Sequence, residues 1–215
     1  DPEAAVRYSA AALNADALIA AVPGLDRLAR IQTEQIASVG SQNMSHTIWL
    51  ALAARVRALM ANDKVDGVVI THGTDTLEET AYFLHITLAT TKPVVMTAAM
   101  RPATALSADG PLNLYQAVQL ACRPTAGRAG VLAVLGDRIL PAAQISKRHP
   151  SAVDAFTAID ALTVSASDAQ LHALAPQRYS RIRLPDHLQA LPPVELLTLG
   201  AGSSPALASA VVRAL

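Results

Sequence analysis

The chain has 215 residues and a mass of 22.4 kDa, enough for one or two domains with a real core. Hydrophobic residues make up 52% and charged residues 16%, and no apolar run reaches about 18 residues, which argues against a disordered chain and a membrane-spanning helix. Lys+Arg and Asp+Glu are 17 each and aromatics 3%, which removes both the positive footprint and the stacking surfaces of a nucleic-acid binder.

The chain opens on Asp1-Pro2-Glu3, with no Met and no charged-then-apolar leader. Gln35–Val39 is a short apolar, β-branched run and is expected as the first strand, leading into Gly40-Ser41-Gln42-Asn43-Met44. Trp49, Leu52, Val56 and Leu59 form one apolar stripe of a helix. Gly67–Ile70 and Pro93–Ala98 read as buried strands. Between them, Thr76-Leu77-Glu78-Glu79 has capping-box spacing and opens a helix with Leu77, Ala81, Leu84 and Leu88 as its stripe. Asp109-Gly110-Pro111 starts another helix toward Cys122, the one cysteine, which is expected as a buried small hydrophobe. Gly130–Leu135 is a fourth strand.

From about Thr163 to Pro192 the sequence reads as a polar, proline-containing connector. Pro193–Gly200 reads as a buried strand and its turn, and Ser204–Leu215 as a helix with a Ser-Pro start and no C-cap. Strand alternating with helix predicts an α/β fold, with an open, mostly parallel sheet covered by helices on both faces. The expected division is an α/β domain over 1–165, a linker over 166–190 and the start of a second, smaller α/β domain over 191–215. Both ends are expected to be truncated.

In such sheets ligands bind beyond the carboxyl ends of the strands. Three strand ends carry hydroxyls and small residues: Val39 to Met44, Ile70 to Thr76 and Met96 to Pro102. Thr74 and Asp75 put a hydroxyl and a carboxylate side by side at a helix start. Taken alone, that pair is most often capping. Any catalytic lysine must be Lys64, Lys92 or Lys147. His72 is a tempting base, but strand-end histidines are more often structural.

Ile70-Thr71-His72-Gly73-Thr74-Asp75-Thr76-Leu77-Glu78-Glu79-Thr80-Ala81 resembles a signature of the bacterial asparaginase/glutaminase family. Gly40-Ser41-Gln42-Asn43-Met44 resembles its substrate-carboxylate loop. Ala99-Met100-Arg101-Pro102, followed by Ser107 to Tyr115, is similar to the periplasmic-type (type II) branch. The three ordered blocks lie within a stretch from about Tyr8 to Phe156.

The resemblance implies the asparaginase fold, here without its first strand. It implies hydrolysis of the side-chain amide of L-asparagine, and more slowly of L-glutamine, with no cofactor and no metal. It implies a homotetramer, and periplasm somewhat ahead of cytoplasm. Residue by residue, it matches Thr74, Lys147 and Asp75 to a Thr-Lys-Asp relay. Ser41 and Gln42 match groups that bind the substrate α-carboxylate, and Asp75 the acceptor of its α-ammonium. The Ala99 carbonyl matches the acceptor of the substrate amide, and Tyr8 a mobile-loop tyrosine.

A threonine hydroxyl is a poor nucleophile until a base takes its proton, and a desolvated lysine can serve as that base. The family's acyl-forming threonine lies in a Thr-Gly-Gly-Thr-Ile segment that is absent from this sequence. The 215-residue chain alone is therefore expected to be inactive. A catalytically silent amino-acid-binding or scaffold protein on the same fold is the alternative.

Overall fold

The computed structural model describes residues 14–89, 91–174, 182–185, 188–194, 196–198 and 200–214. Two short helices come first, α1 (Ala15–Ala20) and α2 (Leu25–Leu28). They are followed by α3 (His46–Met60), β1 (Val68–Thr71), α4 (Leu77–Thr87), β2 (Val94–Thr97), α5 (Gly110–Ala121), β3 (Val131–Leu135) and β4 (Arg138–Pro141). The small strands β5 (Ser146–Lys147), β6 (Phe156–Thr157) and β7 (Leu162–Thr163) precede α6 (Asp168–Ala173) and α7 (Pro205–Ala214).

The main sheet has the order β1-β2-β3-β4-β7, with β1, β2 and β3 parallel and β4 and β7 antiparallel. Alternate residues of the two central strands face opposite ways. Val94 and Met96 of β2, with Val131, Ala133 and Leu135 of β3, pack under α3 and α4. Val95, Leu132 and Val134 pack under α5 and α6. Helices therefore cover both faces, as the alternating pattern predicts. Burial on both sides explains why these strands read as continuous apolar runs.

The β3–β4 hairpin is absent from the sequence reading, although its signal is present. Leu135 pairs with Arg138 across the two-residue loop Gly136-Asp137, and both loop residues have positive φ, 55° and 62°. Such a loop matches the twist of two antiparallel strands.

Four local expectations need correction. Gln35–Val39 forms no strand; Ile36 is 37% and Val39 40% exposed, and no neighbour among the described residues offers them a ladder. β-Branched residues favour an extended backbone, but a strand exists only where a partner strand completes its hydrogen bonds. Likewise, 193–200 shows no strand at its described residues, with Val194 and Leu196 exposed, whereas the helix that follows is present as α7. Within the stretch expected to be connector, α6 opens with a full capping box at Ser167 and Gln170 and buries Leu171 against the sheet. Cys122 is exposed rather than buried, because it is the C-cap of α5 and not part of its apolar face. Burial of part of its side chain, together with nearby Asp66, pushes its thiol pKa up.

Candidate active site

The chemistry gathers where β1 ends. The β1–β2 ladder runs one step past Thr71, with the His72 amide donating to the Thr97 carbonyl at 2.9 Å. The chain then turns through Gly73, Thr74, Asp75 and Thr76 into α4. Ser41, only 6% exposed in a 3₁₀ turn over Ser41–Asn43, underlies that turn. Its Oγ accepts from the Asp75 amide at 3.0 Å, and its carbonyl accepts from Thr76 Oγ1 at 2.7 Å. A Cβ at position 73 would stand 2.5 Å from Ser41 Oγ, so only glycine lets the two loops meet.

These bonds correct the reading of Thr76. Its hydroxyl makes no cap bond to α4, because the Ser41 carbonyl takes its proton. The Thr76 hydroxyl, at the first position of the capping-box spacing, therefore serves a contact 35 residues away in the sequence.

Lys147 arrives from β5, held antiparallel against Phe156 of β6. Its Nζ lies 3.0 Å from Thr74 Oγ1 and 2.9 Å from Asp75 Oδ1. The lysine side chain is 17% exposed and that of Asp75 56%. The Lys147 amide donates to Glu78 Oε2, at the first turn of α4. Glu78 lies within the quoted signature but carries no site role in the sequence, since a glutamate there is ordinary helix-start chemistry. Of the predicted site residues, Thr74, Asp75, Lys147 and Ser41 come together. Gln42 is exposed beside Ser41, and Ala99 stands half-buried just past β2, on the strand next to the Thr74 turn. Tyr8 lies outside the described residues.

His72 belongs to a buried polar chain. Its Nδ1 is 2.7 Å from the Gly73 carbonyl and its Nε2 3.1 Å from Thr80 Oγ1, which also accepts from Trp49 Nε1 at 2.8 Å. One proton arrangement satisfies all of it: Nδ1–H donates to Gly73, and Nε2 accepts from Thr80. Burial pushes the His72 pKa below its ordinary 6.5, against a smaller upward pull from the Gly73 carbonyl. Both ring nitrogens are thus engaged within the fold.

Among the described residues, no group of three or more His, Cys, Asp or Glu is placed to hold a metal. No helix there is long and apolar enough to cross a membrane.

Residues 1–178 match the family model "Asparaginase, N-terminal". The chain belongs to the asparaginase family. It is 50% identical over 149 residues to L-asparaginase 2 of Bacillus subtilis, a match covering 69% of this chain and 40% of that protein. It is 49% identical over 140 residues to the glutaminase-asparaginase of Acinetobacter glutaminasificans, covering 65% of this chain and 42% of that one. The crystal structure of a probable cytoplasmic L-asparaginase from Campylobacter jejuni superposes with a TM-score of 0.69 at 51% identity, over 72% of this chain and 47% of that one. The chain thus spans less than half the length of these asparaginase relatives. Its sheet, with helices on both faces, is the asparaginase α/β fold.

Proposed function

We propose that the full-length protein hydrolyses the side-chain amide of L-asparagine to L-aspartate and ammonia, and that of L-glutamine more slowly. One observation carries this: Lys147 Nζ is within hydrogen-bond reach of both Thr74 Oγ1 and Asp75 Oδ1. Asparaginase and glutaminase-asparaginase relatives supply the substrate class. In this reading, the acyl-forming threonine attacks the amide carbon while its proton is taken up by the relay of Thr74 and Lys147; that proton passes to the amide nitrogen as the C–N bond breaks and ammonia leaves, and water then releases the acyl group as L-aspartate. Asp75 holds the lysine and, at its exposed edge, the substrate ammonium. Ser41 Oγ accepts from the Asp75 amide, so its own proton is left for the substrate α-carboxylate. Gln42 completes that grip, the Ala99 carbonyl receives the substrate amide, and Tyr8 closes over the site.

We place the acyl-forming threonine in the full-length protein, outside these 215 residues, and expect the 215-residue chain alone to release no ammonia. The proposal includes an N-terminal α/β domain joined by a linker to a second, smaller one. It also includes a homotetrameric assembly and action in the periplasm or the cytoplasm, the periplasmic-type blocks slightly favouring the periplasm. The test is ammonia release by the full-length protein with each amide. Release from asparagine above the enzyme-free rate is expected; its absence despite asparagine binding would favour a silent binding protein on this fold.

A further inference from the structure

We infer that Asp109 is a positioning residue for the amide end of the substrate, acting through the Ala99–Met100 peptide; this rests on the amidase reading above. Asp109 immediately precedes α5, yet its side chain caps no amide of that helix. Instead its carboxylate turns back on the loop after β2. Oδ2 accepts from the Met100 amide at 2.9 Å and Oδ1 from the Arg101 amide at 3.0 Å. Asn113, one turn on and 1% exposed, locks the arrangement. Its Nδ2 donates to the Ala98 carbonyl at 2.9 Å and to Asp109 Oδ2 at 3.2 Å, and its Oδ1 accepts from the Gly136 amide at 3.0 Å. Every polar atom of that buried amide is therefore engaged. Arg101 closes the loop by donating to the carbonyl and hydroxyl of Ser107.

The Ala99 carbonyl and the Met100 N–H belong to one peptide unit, and in a trans peptide they point in opposite directions. Asp109 grips the N–H end, so the carbonyl end is aimed away from α5. The bonds on both sides, at Ala98 and Arg101, leave that unit no freedom to rotate. The grip is also electronic. An anionic acceptor on a peptide N–H polarises the unit and makes its carbonyl oxygen a stronger acceptor. That oxygen faces an N–H of the scissile amide, whose hydrogens become more acidic as nitrogen gains positive charge on the way to ammonia. The bond is then worth more in the transition state than in the ground state, which is what accelerates a reaction. A carboxylate that merely stapled the loop would support every substrate equally.

The experiment compares L-asparagine with the β-methyl ester of L-aspartate, whose leaving oxygen has no N–H to donate. Full-length wild type and Asp109→Asn are assayed for kcat/KM on both, after thermal unfolding has shown a folded variant. The amide kcat/KM should fall about 10- to 100-fold, the scale of a lost charge-assisted bond, and the ester value less than about threefold. Equal losses on both substrates would overturn the inference. If Asp109→Asn does not fold, Asp109→Glu is read instead. It keeps the charge but displaces it by a methylene, and its amide-to-ester ratio should also fall; an unchanged ratio overturns the inference. A wild type that releases no ammonia from asparagine would sink the amidase reading itself, and that outcome appears before any substitution is made.

Discussion

Two clusters in this molecule contain the same three kinds of group. At the end of β1, Lys147 pairs with Asp75 at 2.9 Å beside Thr74. Past the far end of α5, Arg123 pairs with Asp168 at 2.6 Å beside Thr125. The exposures are also close, 17% and 56% for the first pair against 26% and 63% for the second. The wiring differs. Thr125 Oγ1 donates to the carboxylate at 2.8 Å, so its proton points at an acceptor that holds it. Thr74 Oγ1 instead accepts from the cation's nitrogen, so the ion pair does not hold its proton. An amine can lose its own proton and take the hydroxyl's, whereas a guanidinium is always charged. In the proposed reading the first cluster moves a proton; the other fastens the start of α6 to the end of α5. Residue types and an ion pair do not separate the two clusters, but the direction of the threonine's hydrogen bond does, accepting in one and donating in the other.

The largest effect should come from removing the amine. Lys147→Met keeps the length and apolar stem, so packing should survive while kcat on asparagine falls by about 10² to 10⁴. KM should move little. Steady-state ammonia release, paired with thermal unfolding, checks this; a folded variant with wild-type kcat would erase the difference between the two clusters.

Next is the floor of the site. Ser41→Ala in the full-length protein should weaken substrate binding, with KM rising by about 10- to 100-fold and kcat changing less. A bond to a non-reacting carboxylate is similar in ground and transition states, and its loss costs on the order of 1.5–3 kcal/mol. A large fall in kcat at constant KM would show that Ser41 acts on the chemistry.

His72 sharpens the contrast through pH. Its folded pKa lies below 6.5, so as pH falls past 6.5 the unfolded chain binds a proton that the folded chain refuses. Stability is full above that value and is lost as pH falls toward the folded pKa. His72→Gln, which keeps a donor and an acceptor, should unfold at a midpoint depending less on pH between about 7 and 5 than wild type. Equal pH dependence in the two would mean that His72 is not held neutral.

How much of this was legible in the sequence depends on the distance over which each group acts. Of the stripe Trp49, Leu52, Val56 and Leu59, the middle two are buried as read; with the α4 stripe and the core strands they are legible because period and burial are local matters. The Thr74–Asp75–Lys147 cluster was readable only through the family blocks, since nothing in the spacing brings residue 147 to residue 74. Thr76, Glu78 and Asp109 stayed hidden for one shared reason: each sits where helix starts ordinarily place Thr, Glu or Asp. Their side chains turn instead to Ser41, to the Lys147 amide and to the loop after β2. The run at 35–39 errs in the opposite direction, its propensity being present and a partner strand absent among the described residues.

The smallest effect is expected at the second cluster. The Arg123 and Thr125 hydrogen bonds pull the Asp168 pKa below its ordinary 3.8. Its contribution to stability is therefore present above 3.8 and is lost as pH falls through the lowered value. Asp168 is solvent-exposed, so water and salt screen the pair at neutral pH. Asp168→Asn removes the charge but leaves an amide oxygen that can still accept from Thr125. The variant should unfold within roughly 2 °C of wild type at pH 7, with the difference shrinking further below pH 3. Ammonia release should not change, because neither Arg123 nor Thr125 reaches the Thr74 turn. A clear loss of kcat in Asp168→Asn, with the fold intact, would show that the two clusters are coupled through α5. The orientation of the threonine hydroxyl would then no longer be enough to separate a site from a fastening.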